Sequence, residues 1–187
     1  MRRTLSMPRT LHIVVNITLF QIGWLSCVLG AVNGMSLVGP IFVIVAVGLH
    51  LIVAPMPTRE MQMLAGVSLL GLAWETLMIQ TGFLAYNGGL IMNGLPPYWI
   101  IAMWFLFATT LNVSLRWLHG RKLLAAALGA IFGPATYYAG AVLGGVSFAY
   151  PTLTMTVVAI SWALLMPTLA SLAMRLDGFA DAPEQLA

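Results

Sequence analysis

The sequence predicts an all-α integral membrane protein, a bundle of six transmembrane helices with both termini in the cytoplasm. Three observations predict this fold. Of the 187 residues, 60% are hydrophobic and only 7% are charged, whereas a soluble domain carries about 25% charged residues. Long apolar runs recur through the whole chain. Lys and Arg fall only on one side of the membrane when these runs are taken as spans.

Six segments reach the length of about 20 mostly apolar residues that a spanning helix needs. They are approximately residues 11–32, 38–55, 61–81, 97–118, 122–145 and 153–175. Turn-forming pairs such as Asn33-Gly34 and Pro96-Pro97 separate them. The runs are too long for the strands of a membrane barrel. We therefore expect residues 1–187 to form a single polytopic membrane domain.

The basic residues predict the orientation. With six spans, the N-terminus, the loops near 56–60 and 116–122, and the C-terminus share one side. That side holds every Lys and Arg of the chain, namely Arg2, Arg3, Arg9, Arg59, Arg116, Arg121, Lys122 and Arg175. An excess of Lys and Arg marks the cytoplasmic side. The acidic residues Asp177, Asp181 and Glu184 are expected to belong to a short solvated tail on that side.

The first apolar run follows three arginines, as in a secretory signal peptide. It is longer than the apolar region of about 7–15 residues that a signal peptide has, and no small-residue cleavage site follows it. We therefore expect the first helix to be retained as a membrane span.

Glu75 is the one acidic residue that these spans place inside the membrane. A central charge there costs roughly 2.5 kcal/mol or more, so an ionisable residue in a span is a functional candidate by default. One interpretation is a purely structural carboxylic acid that is hydrogen-bonded to a neighbouring helix. The others are a proton carrier, a general acid or base, and the polar anchor of a pocket.

Depth along the helices sorts the polar residues into two candidate clusters. At a rise of about 1.5 Å per residue, Glu75 lies roughly 20 Å from the cytoplasmic end of its helix. The outer cluster comprises Glu75, Tyr137 and Trp24, which lie at about this depth, and Gln21, which lies one turn lower. The inner cluster lies within about 10 Å of the cytoplasmic end and comprises His50, Asn112 and Asn16. Thr109, Asn112 and Arg116 are expected to form a polar stripe down the fourth helix.

Several classes of site are not predicted. No spacing of His, Cys, Asp and Glu resembles a metal site, and no phosphate-binding loop or nucleophile elbow occurs, so neither a metal nor a cofactor is expected. The basic residues are scattered among loops, so no nucleic-acid partner is expected. The single cysteine, Cys27, cannot form an internal disulfide. The sequence leaves the oligomeric state open.

The segment from about 96 to 145 carries specific motifs. They are Pro97-Tyr98-Trp99, the run Met103-Trp104-Phe105 to Leu115-Arg116-Trp117, Gly129-Ala130-Ile131-Phe132-Gly133-Pro134 and Tyr138-Ala139-Gly140. With Gly23-Trp24 upstream and an acid in the third helix, the chain resembles a family of small bacterial inner-membrane proteins catalogued as a domain of unknown function. The resemblance implies a bacterial inner-membrane location. It implies no activity, cofactor or catalytic residue.

Three functions remain open, besides a purely structural or regulatory role toward a partner protein. The first is binding or accessory handling of a lipid or other apolar small molecule, in a pocket near Glu75 that the loop 82–96 covers. The second is a small proton-coupled transporter in which Glu75 carries the proton. The third is a membrane-embedded enzyme that acts on lipid, with Glu75 as acid or base and His50 or Tyr137 assisting. The lipid bilayer is the expected partner in each case, and whether the protein is an enzyme stays open.

Overall fold

The computed structural model describes residues 8–180, so Arg2, Arg3, Asp181 and Glu184 lie outside the described residues. Within that range the chain forms six α-helices, one 3₁₀ turn and two short strands. The helices are α1 (Arg9–Val32), α2 (Val38–Val53), α3 (Pro57–Gln80), α4 (Tyr98–Leu111), α5 (Lys122–Val142) and α6 (Pro151–Arg175). The strands are β1 (Leu84–Tyr86) and β2 (Val146–Phe148).

Four of these helices, α1, α3, α5 and α6, are long and apolar enough to cross a membrane. The other two, α2 and α4, are apolar but shorter, with 16 and 14 residues. At about 1.5 Å per residue, α4 extends only about 21 Å. The structure therefore provides four helices of full spanning length in the described range, together with two shorter apolar helices packed among them.

The bundle has two ends that differ in composition. The basic end contains residues 54–56, 112–121 and 176–180 and the adjoining helix turns, which carry Arg9, Arg59, Lys122 and Arg175. The sheet end contains residues 33–37, 81–97 and 143–150. At the sheet end, β1 and β2 pair antiparallel, with Leu84 opposite Phe148 and Tyr86 opposite Val146. This small sheet joins the loop after α3 to the loop after α5. The sequence did not predict it, because each strand has only three residues.

The helices α1, α3 and α5 end at the sheet end in the same way. In each, the residue after the C-cap is a glycine with positive φ. The amide of this glycine and the amide of the following residue bond back to carbonyls of the last turn. In α5, Gly144 has a φ of 87°, and the amide of Gly145 bonds to the carbonyl of Gly140 at 2.9 Å. Glycine fits this left-handed position because it has no Cβ. The motif ends α5 at Val142 and not at the predicted 145.

Two predicted helix boundaries differ in ways that affect the polar residues. Helix α3 begins at Pro57 and not at 61, because proline suits the first helical position. This places Glu60 in the first turn of the helix. Helix α4 ends at Leu111 and does not continue to 118. The predicted polar stripe is therefore interrupted after Thr109, and Arg116 lies in a separate 3₁₀ turn.

Helix α4 is the centre of the bundle. It packs against α1, α2 and α3, while α5 packs mainly against α6. The core residues Trp99, Leu106 and Val67 are at most 1% exposed. Helices α1 and α5 are not a closely packed pair. The space between them is the feature that positions the candidate site.

Candidate functional site

Glu75 is buried in α3, with 2% of its surface exposed, and its carboxyl group is surrounded by hydrogen-bond donors. The hydroxyl of Tyr137 on α5 donates to Oε1 at 2.6 Å, and the indole of Trp104 on α4 donates to the same oxygen at 3.2 Å. The hydroxyl of Tyr86 donates to Oε2 at 2.6 Å. A buried carboxyl group needs such partners. Glu75 therefore joins three other elements of the fold at one point.

Neighbouring side chains fix the position of these donors. The indole of Trp74 donates to the hydroxyl of Tyr137 at 3.2 Å. The ring of Trp104 stacks on that of Trp162, with centroids 5.6 Å apart and an angle of 15° between the planes. Gly71 lies one turn before Glu75, and a Cβ at this position would overlap the Trp104 ring. The absence of a side chain at Gly71 therefore allows Trp104 to reach the carboxyl group.

The small sheet supplies Tyr86. This residue is 9% exposed, and its ring packs edge-on against that of Trp99, with centroids 5.6 Å apart. Burial, followed by the charge of the adjacent Glu75, raises the pKa of the Tyr86 phenol. The phenol therefore stays protonated at neutral pH and remains available as a hydrogen-bond donor to the carboxyl group.

A cleft of about 520 Å³ adjoins this group of residues. It lies between α1 and α5, with residues of α4 and Trp162 of α6 behind it and residues of both strands at the sheet end. Most of its lining is apolar or aromatic. The polar side chains among the lining residues, apart from the indoles, are those of Gln21, Glu75, Tyr86, Thr136 and Tyr137. Small-molecule sites in proteins in general combine an apolar lining with a few polar groups.

The geometry permits two kinds of chemistry. The carboxyl and hydroxyl groups can hold a polar atom of a bound molecule. They can also transfer a proton, because the hydroxyl oxygen of Tyr137 lies 2.6 Å from Oε1 of Glu75 and both residues line the cleft. A general acid or base must lie within hydrogen-bonding distance of its partner. The nucleophile–base–orienter arrangement of a hydrolase is not formed by these residues.

A second buried acid lies at the basic end. Glu60 is 0% exposed, and its Oε1 is 2.8 Å from Nε2 of His50. Its Oε2 accepts hydrogen bonds from Asn112 Nδ2 at 2.8 Å and from the amide of Gly178 at 3.0 Å. The cluster thus joins α2, α3, the end of α4 and the segment after α6. At about 1.5 Å per residue, Glu60 and Glu75 lie roughly 22 Å apart along α3.

The segment after α6 packs onto this cluster. Asp177 is 7% exposed and forms an ion pair with Arg116, Oδ2 to Nη2 at 2.6 Å. The ring of Phe179 lies against those of His50 and His12, with centroid distances of 5.1 and 5.4 Å. The prediction of a solvated tail is therefore wrong for Asp177. The segment is held by this ion pair together with the hydrogen bond from the amide of Gly178 to Glu60.

The structure places the predicted site residues as follows. Tyr137 contacts Glu75 directly, whereas Trp24 and Gln21 line the cleft without a hydrogen bond to that carboxyl group. His50 and Asn112 meet at Glu60. Asn16 does not join them: its side chain donates to the carbonyl of Thr109 at 3.2 Å and accepts from Ser114 at 2.7 Å. The predicted inner cluster is therefore divided. The functional roles of all these residues stay predictions.

Sequence reasoning missed three residues of these sites. The predicted loop near 56–60 includes Glu60, although Pro57 is typical of an earlier helix start. Tyr86 lies in the loop 82–96 that the sequence predicts to cover the pocket, but nothing in the sequence distinguishes it from the other residues of that loop. Trp104 had no distinguishing feature among the aromatic residues of α4. Among residues 8–180, no group of three or more His, Cys, Asp and Glu side chains is placed to hold a metal ion.

The chain matches a family model. No curated protein and no solved structure matches the chain. The model of the family described as "Protein of unknown function (DUF2878)" matches residues 13–168. This range includes Glu75, all the donors to its carboxyl group, and Glu60. Because the match extends over most of the sequence, the chain belongs to the DUF2878 family of proteins of unknown function.

Proposed function

We propose that this protein binds a lipid or another apolar small molecule in the cleft beside Glu75, within a bacterial inner membrane. The observation that carries the proposal is the cleft itself, with about 520 Å³ of space lined mainly by apolar and aromatic side chains around one hydrogen-bonded carboxyl group. Binding sites for small molecules combine a largely apolar lining with a few placed polar groups.

Exposed lining residues between α1 and α5 support access of a membrane-dissolved molecule to the cleft from the side. Phe132 lines the cleft and is 62% exposed, and Gln21 and Thr136, on facing helices, are exposed as well. In a bilayer, these positions between α1 and α5 would face the lipid. A molecule dissolved in the membrane would then reach Glu75 without crossing water.

The proposed topology has six spans and cytoplasmic termini, with the shorter α2 and α4 also crossing the membrane. Its test uses Asn93→Cys at the sheet end and Arg121→Cys at the basic end, both at exposed positions. In intact cells, an impermeant maleimide is expected to label only the Asn93→Cys protein, and Arg121→Cys is expected to react only after lysis. The native Cys27 is 0% exposed and serves as the unlabelled background. Labelling of Arg121→Cys in intact cells would contradict the orientation.

The ligand proposal is tested by Glu75→Gln with native mass spectrometry of the purified protein. The change weakens the hydrogen bonds through which Glu75 holds Tyr137, Trp104 and Tyr86 in the cleft lining. A hydrogen bond to a charged group contributes about 1.5–3 kcal/mol, and about 1.4 kcal/mol corresponds to a tenfold change in affinity. We therefore expect occupancy by a co-purifying molecule to fall about tenfold or more in the variant.

The matched control is Thr76→Val, one residue further along α3. The hydroxyl of Thr76 bonds to the carbonyl of Leu72 in its own helix at 2.7 Å and does not line the cleft. Occupancy should therefore remain at the wild-type level. If no specific molecule co-purifies with the wild-type protein, or if both variants retain it equally, the ligand proposal fails.

The short contact between Glu75 and Tyr137 favours a second candidate, a membrane-embedded enzyme that modifies lipid. Tyr137→Phe keeps the ring and removes the hydroxyl that would transfer the proton. An enzyme should then retain a molecule whose mass differs from that bound to the wild-type protein, because substrate would accumulate. A binding protein should retain the same molecule with lower occupancy.

A further inference from the structure

The cleft is elongated and follows α5. Its lining on that helix extends from Leu128 to Gly140, which corresponds to about 18 Å at a rise of 1.5 Å per residue. The hydrocarbon core of a bilayer is about 30 Å thick, so one leaflet contributes about 15 Å. The cleft is therefore about as long as the acyl layer of one leaflet, and longer than a compact apolar molecule needs.

The two ends of the cleft differ in enclosure. At the sheet end its lining includes Tyr86, Trp99 and Val146, which are 9%, 1% and 6% exposed. At the basic end its lining includes Trp117, which is 49% exposed, beside Leu118, which is 1% exposed, so the opening there lies at Trp117. A long molecule in the cleft would therefore be covered at the sheet end and reach the surface at the basic end.

The two ends of the cleft also differ in the charge of the residues around them. Arg121 and Lys122 lie three and four residues after the segment 115–118, which contributes lining residues at the open end, and both are exposed. Within residues 8–180, neither forms an ion pair, whereas the nearby Arg116 is paired with Asp177. No Lys or Arg occurs in the loops of the sheet end. Exposed Lys and Arg at a membrane surface attract anionic lipid headgroups.

We propose, on the basis of the function proposed above, that the occupant is a phospholipid with an anionic headgroup at Arg121 and Lys122. One acyl chain lies in the cleft and extends along α5 toward the sheet end. A second chain remains in the bilayer through the opening between α1 and α5. The carboxyl group of Glu75 then faces the distal half of the bound chain and not the headgroup.

The test uses phosphatidylglycerol with a photoreactive diazirine on one acyl chain, in vesicles that contain the full-length protein. One probe carries the diazirine near the end of the chain, and the other carries it near the ester. After irradiation, peptide mapping should place cross-links of the distal probe around Tyr137 and Trp104. The proximal probe should cross-link around the segment 115–118.

Charge is tested with the double variant Arg121→Gln and Lys122→Gln. Its cross-linking to phosphatidylglycerol should fall several-fold, to the level given by phosphatidylcholine with the same labelled chain. The control is the double variant Arg59→Gln and Arg175→Gln, which removes two exposed charges of the basic end away from the cleft lining. This control should cross-link like the wild type.

The outcomes separate this inference from the proposed function. A reversed pattern, with the proximal probe near Tyr137, would overturn the inferred orientation and leave lipid binding in the cleft intact. Equal cross-linking of the two headgroups to the wild-type protein would overturn the anionic preference alone. Cross-links confined to lipid-facing surfaces outside the cleft, with both probes, would overturn the orientation and the proposed function together.

Discussion

Glu60→Ala is expected to destabilise the protein by about 3–5 kcal/mol, the cost of removing one partner from a buried polar pair. The carboxyl group is fully buried and bonds to His50, to Asn112 and to the amide of Gly178. Alanine would leave these groups without their acceptor, and each unsatisfied buried group costs about 1–3 kcal/mol. The measurement is the midpoint of unfolding in detergent, followed by tryptophan fluorescence.

Two further variants show whether the buried hydrogen bonds cause this loss. Glu60→Gln keeps one oxygen for Asn112 and Gly178 and offers an amide to His50, so it should recover most of the stability. Met61→Leu changes the adjacent residue, which is 46% exposed, and should have no measurable effect. Equal midpoints for Glu60→Ala and the wild type would show that the cluster does not stabilise the fold.

The second large effect is expected for Gly129→Ala, on the face of α5 that packs against α6. A Cβ at this position would overlap the carbonyl oxygen of Trp162 and lie 2.8 Å from Cβ of Met166. A backbone oxygen cannot turn away as a flexible side chain can, so the two helices must separate. Overpacking of this kind costs about 1–3 kcal/mol, and small residues are what permit such close helix contacts in membranes.

Gly129 and Trp162 also line the cleft, so the change should affect function as well as stability. We expect a lower unfolding midpoint together with a lower occupancy of the co-purifying molecule. The matched control is Gly48→Ala in α2, where a Cβ would meet no atom within 4 Å. It should be neutral or stabilise the helix by up to about 1 kcal/mol. A Gly129→Ala protein that unfolds like Gly48→Ala would contradict the described packing of α5 on α6.

The two acids of α3 differ in how far the sequence alone identifies them as buried residues. Glu75 is recognisable from the sequence because it interrupts a long apolar run. Glu60 is not, because it lies three residues after a proline in a stretch that also contains Thr58 and Arg59. Only the packing of α2, α4 and the segment after α6 around it shows that Glu60 is buried.

The sequence by itself determined that the chain is helical and strongly apolar, where most helices lie, and that the basic residues gather at one end. These properties depend on residues close together in the chain, such as apolar runs and the turns between them. The sequence also indicated Glu75 as a candidate functional residue. The similar depth of Tyr137 in its own helix placed it in the same candidate cluster.

Only the tertiary structure decided which donors reach Glu75, because Trp104 and Tyr86 are 29 and 11 residues away in sequence and on other elements. It also decided that α4 ends at Leu111, where Asn112 bonds to Glu60. The gap between α1 and α5 likewise follows from the order of the helices around the bundle. Such contacts depend on which helix faces lie together, and a residue's depth in its own helix does not specify its neighbours on another.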